Sequence, residues 1–279
     1  MDRVRPDKRE KAVITAVSRK MDIRKYNQIA WDNKVKQGKR YTLPAGPETI
    51  KQAKAGNWQI NLTPCIPVPQ EWFPPVKGLK VLCLASGGGV QGPILAAAGA
   101  DVTVFDNSPL MLATDRSVAV RDSLKIRTVE GDMADLSQFS DYSFDLIVHP
   151  VSNTFVPDVL PVWKEAYRVL RKGGTLLSGF TNPAVYLFDW ELAERTGELH
   201  VRYKLPYSDA ADLDAAQKQK RIAGGEPMEF SHTLDTQIGG QIAAGFVIAG
   251  FYQDKDEPEA LDQLGKYMAT YIVTRAVKL

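Results

Sequence analysis

The sequence predicts an α/β fold: a doubly wound, mostly parallel sheet of seven strands behind a helical N-terminal extension. Three observations carry this prediction. From Lys80 onward, short apolar runs alternate with helical stretches, the pattern of strands joined by crossover helices and buried on both faces. The first run ends in Gly87-Gly88-Gly89, a turn at which a backbone must come close to something. The tail changes to helix–strand–helix–strand, which closes one edge of the sheet.

Each element has its own justification. Residues 22–36 place Ile23, Tyr26 and Ala30 on one helical face, and "PETIKQAKAG" (47–56) opens on proline and stops at Gly56. Five prolines punctuate "TPCIPVPQEWFPP" (63–75), an extended connector. "KVLCLAS" (80–86) is the first strand, with a helix over 92–100. "DVTVFD" (101–106) is the second, followed by a helix from Ser108 to Asp122. "IRTVEGDM" (126–133) holds the third strand and its turn, and "FDLIVH" (144–149) is the fourth. A helix over 159–172 stops at Gly173-Gly174, and "TLLSGF" (175–180) is the fifth strand. A helix over 236–246, a strand over 247–254, a helix over 257–269 and a strand over 271–279 complete the chain. The expected organisation is an extension or lid over 1–75 and a main domain over 76–279. Within the latter, an insertion at 182–230 covers the carboxyl edge of the sheet.

Bulk properties narrow the function classes. The 279 residues are 44% hydrophobic and 24% charged with net charge +2. That suits a globular protein with a sizeable core and gives no strong electrostatic footprint for nucleic acid. Basic residues cluster between Arg3 and Lys25, diluted by acids, and are expected on a solvated helical face. Cys65 and Cys83 support neither a disulfide framework nor a metal site, and no apolar run is long enough to span a membrane. A cytoplasmic monomer or homodimer with a small-molecule partner is the expectation.

The glycine turn has two readings. Gly87-x-Gly89-x-x-Gly92 matches a dinucleotide fingerprint, whereas Ala85-x-Gly87-x-Gly89 matches the turn that holds S-adenosyl-L-methionine (SAM). In both, backbone N–H groups are expected to point at the ligand. Both also use Asp106, ending the second strand beside Asn107 and Ser108, to accept from the ribose hydroxyls. The two small residues Ala85 and Ser86 between strand and first glycine favour SAM. So does "GDM" (Gly131, Asp132, Met133), which suits an adenine slot with a carboxylate for the exocyclic amine and a thioether against the ring.

The stretches "VLCLASGGG", "VTVFDNS", "VEGDMADL", "FDLIVHPVSN" and "YRVLRKGG" together resemble the class I SAM-dependent methyltransferases. The likeness is greatest to small-molecule enzymes related to the ubiquinone and menaquinone C-methyltransferases, and "SHTLDTQIGGQIAAGF" adds to it. The whole chain also resembles bacterial proteins carrying a methyltransferase domain. The resemblance implies a Rossmann-like sheet with an antiparallel last strand, SAM as cofactor and S-adenosyl-L-homocysteine as product. Two positions depart from the family pattern: Cys83 stands where an acidic residue is usual, and Ala85 where glycine is usual. The acidic residue commonly helps hold the methionine ammonium, so that duty must fall elsewhere or to water. Gln91 is either a polar partner for the amino-acid end of SAM or a helix cap.

Methyl transfer from a sulfonium is an in-line displacement in which positioning contributes most, and a general base is needed only for a hydroxyl or acidic-carbon acceptor. His149, leaving the fourth strand, and His232, before the helix over 236–246, are the candidates for that base, and His149 also for orienting SAM. Ser152, Asn153, Asn182, Tyr186 and Tyr207 are candidates for the acceptor pocket. Tyr26 and Trp31 would lie near the sulfonium, where cation–π attraction is available. Two rivals stand beside this reading: an NAD(P)-dependent oxidoreductase using Gly87, Gly89 and Gly92, and a catalytically silent SAM-binding scaffold.

Overall fold

The computed structural model describes residues 21–256 and 263–279. One sheet of seven strands is built from β1 (Lys80–Leu84), β2 (Asp101–Asp106), β3 (Ile126–Glu130), β4 (Phe144–His149), β5 (Leu170–Thr181), β6 (Phe246–Asp254) and β7 (Tyr271–Lys278). Their order is β3-β2-β1-β4-β5-β7-β6. The first five are parallel, and β7 runs antiparallel between β5 and β6. Strand order therefore reverses at β1, between β2 and β4, which opens a crevice beyond the carboxyl ends of these strands.

Both faces of the sheet are covered, as the unbroken apolar strands require. Val81 and Cys83 of β1 point into one cluster with Ile94, Leu95, Val104 and Val148. Leu82 and Leu84 point into the other with Phe105, Ile147 and Trp163. The first cluster also takes in the N-terminal extension from Ala45 on, whereas Ile23 joins Met228 and Phe230 in a third. Here α1 (Ile23–Lys36) is capped by Asp22, α2 (Pro47–Lys54) follows, and the connector buries Ile60, Leu62, Val68 and Phe73. The crossovers α3 (Gln91–Ala97), α4 (Pro109–Arg121) and α5 (Leu160–Val169) complete the two layers. The segment after β5 holds α6 (Trp190–Thr196), α7 (Asp209–Asp212) and α8 (Ala215–Ala223).

Three boundaries differ from the sequence expectation. The helix over 159–172 ends at Val169, because Leu170 is drawn into the second cluster and pairs with Phe144, so β5 begins before the Gly173-Gly174 pair. The helix over 236–246 is a single π turn (Asp235–Gly239) followed by α9 (Gly240–Ala244), ended by Gly245 in the left-handed region. Of the helix over 257–269, residues 257–262 lie outside the described residues, and Leu264–Lys266 form one 3-10 turn. The basic residues at 1–20 likewise lie outside the described residues. Among the described residues, no helix is long and apolar enough to cross a membrane.

The connector crosses the sheet where β5 carries no side chain. A Cβ at Gly179 would sit 2.7 Å from the Leu62 carbonyl oxygen, a backbone atom that cannot swing away. Gly179→Ala should therefore lift the connector and destabilise the protein by about 1–3 kcal/mol, the usual cost of overpacking. Urea unfolding measures this, and an unchanged midpoint would show that the crossing is loose.

Candidate active site

A cavity of about 1050 Å³ opens at the crevice. Its floor begins with the glycine turn. Ala85 adopts φ +46° and donates its N–H to the Phe105 carbonyl at 2.7 Å. The usual glycine is thus replaced by a residue that carries left-handed strain of about 1 kcal/mol. Gly87 has no room for a side chain, since its Cβ would fall 2.8 Å from Met111 Cβ and 3.0 Å from Asp106 Oδ2.

The turn's amides do not all face the cavity as expected. Gly87 N–H donates to Asp106 Oδ2 and Gly88 N–H to Asp115 Oδ2, each at 2.9 Å. Two carboxylates from neighbouring elements satisfy donors that a buried turn would otherwise strand. Asp106 Oδ1 accepts from Ser108 N–H at 2.9 Å. Burial raises the Asp106 pKa while these amide bonds oppose the rise. Each oxygen keeps accepting capacity, and the residue lines the cavity.

Along the cavity wall beyond Asp106 follow Asn107, Gly131, Asp132 and Met133. Gly131 is obligatory, because a Cβ there would lie 2.1 Å from the Phe105 ring. Asp132 Oδ1 accepts from Ala134 N–H at 2.9 Å and shapes the turn after β3. On the other side of the glycine turn, Ser86 Oγ donates to Gln91 Oε1 and Gln91 Nε2 to the Asn61 carbonyl, both at 3.1 Å. Gln91 is thus tied to the connector, and the N-cap of α3 is Val90. Gly89 is turned away from the cavity toward Pro44, Val118 and Thr114. Gly92 lies against Val104, where a Cβ would come within 2.5 Å and part helix from strand.

Helix α1 is fastened over the lip formed by β2 and α4. Asn107 exchanges two bonds with Arg24, and Gln28 Nε2 reaches the Asn107 carbonyl and Glu130 Oε1 at 2.8 Å. Ser108 caps α4 and donates to Asp32 Oδ1 at 2.6 Å, behind the cavity wall. Trp31 lines the cavity, edge-on to Phe155. Tyr26 does not line it, and its hydroxyl donates to the Glu226 carbonyl.

The far end of the cavity mixes apolar walls with one polar group. Phe155, Val185 and Trp190 stand around Tyr186, whose hydroxyl meets Thr154 Oγ1 and donates to Glu229 Oε2 at 3.0 Å. Glu229 is held by Arg221 at 2.8 Å, and Arg221 also reaches Asp209 at 2.7 Å. Burial, with Glu229 beside it, raises the Tyr186 pKa well above the usual phenol value. Ser152 lines the cavity and donates to the Pro150 carbonyl. Tyr207 lies behind Tyr186, stacked on it and bonded to Asp209 Oδ1, and Asn182 caps the turn after β5.

The two histidines do not reach the cavity wall. His149 is fully buried, with Nδ1 2.8 Å from the Leu84 carbonyl and Nε2 2.7 Å from Asn153 Oδ1. His232 Nε2 donates to the Asn153 carbonyl at 2.9 Å. Burial pushes both pKa values down. Asn153, also fully buried, donates to Gln237 Oε1, so both rings fix the segment leaving β4.

Sequence reasoning passed over Glu229 and Asp115, and placed Asn27 with Tyr26 and Trp31 on the helix expected to close over the cofactor. Asn27 bonds the Phe155 and Met228 carbonyls and the Met228 N–H, joining α1 to the segment before the π turn. Asp115 had a signal: with Met111, Leu112 and Val118 it falls on the buried stripe of α4. Burial raises its pKa to about 7. The folded protein therefore holds this proton between the ordinary carboxylate range and neutrality, and stability falls as pH rises through that window. Asp115→Asn should match the native protein near pH 4 and exceed it near pH 8 by on the order of a few kcal/mol. Thermal melts across pH test this, and a gap independent of pH would contradict it.

A methyltransferase-domain family model matches residues 82–178. The "Uncharacterized methyltransferase YbaJ" of Bacillus subtilis (strain 168) is 57% identical over 254 residues, covering 91% of this chain and 98% of that one. A demethylmenaquinone methyltransferase of Clavibacter sepedonicus is 35% identical over 114 residues, 40% of this chain and 46% of that one. The fold is shared with an S-adenosylmethionine-dependent methyltransferase from Mesorhizobium loti (TM-score 0.57, 19% identity, 75% of this chain and 95% of that one). It is shared also with a SAM-dependent methyltransferase from Methanosarcina mazei (TM-score 0.53, 20% identity, 78% and 99%). Sharing more than half of its residues with a methyltransferase over nearly the full length of both, the chain belongs to the methyltransferase family.

Proposed function

We propose that this enzyme binds SAM in the cavity and transfers its methyl group to a small-molecule acceptor, releasing S-adenosyl-L-homocysteine. The observation that carries the reading is that the adjacent carboxyl ends of β1, β2 and β3 bring Ser86 and Gly87, then Asp106, then Asp132 and Met133 to one cavity. That order suits an amino-acid end, a ribose and an adenine in turn. The two accepting sites left on Asp106 suit a pair of ribose hydroxyls. At about 1050 Å³ the cavity lies at the upper end of small-molecule sites, roughly 300–1,000 Å³, room for a cofactor and an acceptor together.

Bound there, SAM supplies an electrophilic methyl carbon. The protein's part is alignment. Trp31, Phe155, Val185 and Trp190 would press a ring-bearing or apolar acceptor into place, with Tyr186 and Glu229 to meet its polar atom. Where the acceptor gives up a proton, these two face it. Both histidines are proposed instead to brace the segment that carries Ser152 and Thr154. We assign α1, with residues 1–75 as a whole, the role of a lid, residues 182–230 that of the acceptor cap, and the cytoplasm as the site of action.

The oxidoreductase reading finds no support, because Gly92 serves helix–strand packing rather than a ligand. A silent scaffold differs from an enzyme only in turnover. Calorimetric titration with SAM, S-adenosyl-L-homocysteine and NAD should show binding of the adenosyl compounds alone. Asp106→Ala, checked for folding by circular dichroism, should weaken it by about 2–3 kcal/mol, the worth of charged hydrogen bonds to ribose. Binding of NAD with none of SAM would overturn the assignment, and SAM binding without turnover across an acceptor panel would favour the scaffold.

A further inference from the structure

We infer that Asp115 is the positioning residue that sets the cofactor turn in this enzyme, supplying from α4 the carboxylate that β1 lacks at Cys83. The inference rests on the SAM reading above. Three observations support it. The Asp115 side chain is fully buried and accepts the Gly88 N–H, directly behind the stretch of turn that lines the cavity. Its Oδ1 is buried without a hydrogen-bond partner, which costs free energy unless something is gained by keeping it. It also lies close enough to Cys83 that its charge adds to the burial raising the thiol pKa. Asp115 thus addresses from α4 the turn that follows Cys83.

The mechanism is geometric and electrostatic. Gly88 and Gly89 adopt φ +109° and +78°, conformations with little intrinsic preference to hold them. Two anchors hold the turn: Asp106 on the Gly87 N–H and Asp115 on the Gly88 N–H. A negative charge beneath the turn also favours a cationic amino-acid end above it. The ionisable neighbours are few. Cys83 faces it from β1 and Asp106 from β2. The sequence of α3 carries no charge, and α1 brings Asp32 to the first turn of α4.

Calorimetry on the full chain with SAM, from pH 6 to pH 8.5, tests the inference on the native protein, Asp115→Asn, Asp115→Ala and the double variant Cys83→Asp/Asp115→Ala. With Asp115 titrating near 7, native affinity should fall about tenfold from pH 8 to pH 6 beyond the change seen in Asp115→Asn. The amino group of SAM itself titrates near about 8, so Asp115→Asn, expected to be well folded, supplies the baseline. Asp115→Ala should bind at least about tenfold more weakly at pH 8, and Cys83→Asp should restore much of that loss. Identical pH profiles for native protein and Asp115→Asn, or native affinity in Asp115→Ala, would overturn the inference while leaving the cofactor assignment intact. No SAM binding by the native protein would overturn both.

Discussion

The site depends on how the glycine turn after β1 is held. A turn buried among β2, α3 and α4 has N–H groups that water cannot reach, and in this chain carboxylates from two other elements take them. The same contacts explain the local sequence. Gly87 is there because Asp106 and Met111 leave no space for a Cβ, and Gly92 because Val104 lies beneath α3. The cofactor half is therefore a product of packing first and of ligand chemistry second.

The segment leaving β4 is organised by a different device. Asn153 is gripped through its side chain by His149 and Gln237, and through its carbonyl by His232. Ser152, Thr154 and Phe155 are thereby presented to the cavity from a rigid base.

The seven-stranded sheet and several residues of the cavity were legible in the sequence because they rest on local signals. Apolar runs bounded by glycines announce strands, and an acid at the end of the second strand falls at the crevice and lines the cavity. Less was legible where function is assembled from distant parts. His149 and His232 looked like proton carriers because spacing does not reveal that both meet one asparagine between them. Asp115 escaped because a single acid on an amphipathic helix looks like a solvated position, although its place on the apolar stripe marked it as buried. Glu229 acquires meaning only through Tyr186, 43 residues away, and one partner of Asn27 lies 201 residues along the chain. Leu170 shows the tertiary context overriding a helical pattern.

The connector between α2 and β1 has a further consequence, for how the antiparallel edge of the sheet is joined to the cavity. Part of it rests on that edge. Asp254 of β6 accepts the N–H groups of Cys65 and Ile66, Trp72 covers Gly250, and Leu62 crosses Gly179 of β5. The same extension holds the glycine turn, with Ala45 donating to the Gly89 carbonyl and Gln91 to that of Asn61. It thus couples the antiparallel edge of the sheet to the cavity, so that loosening one loosens the other.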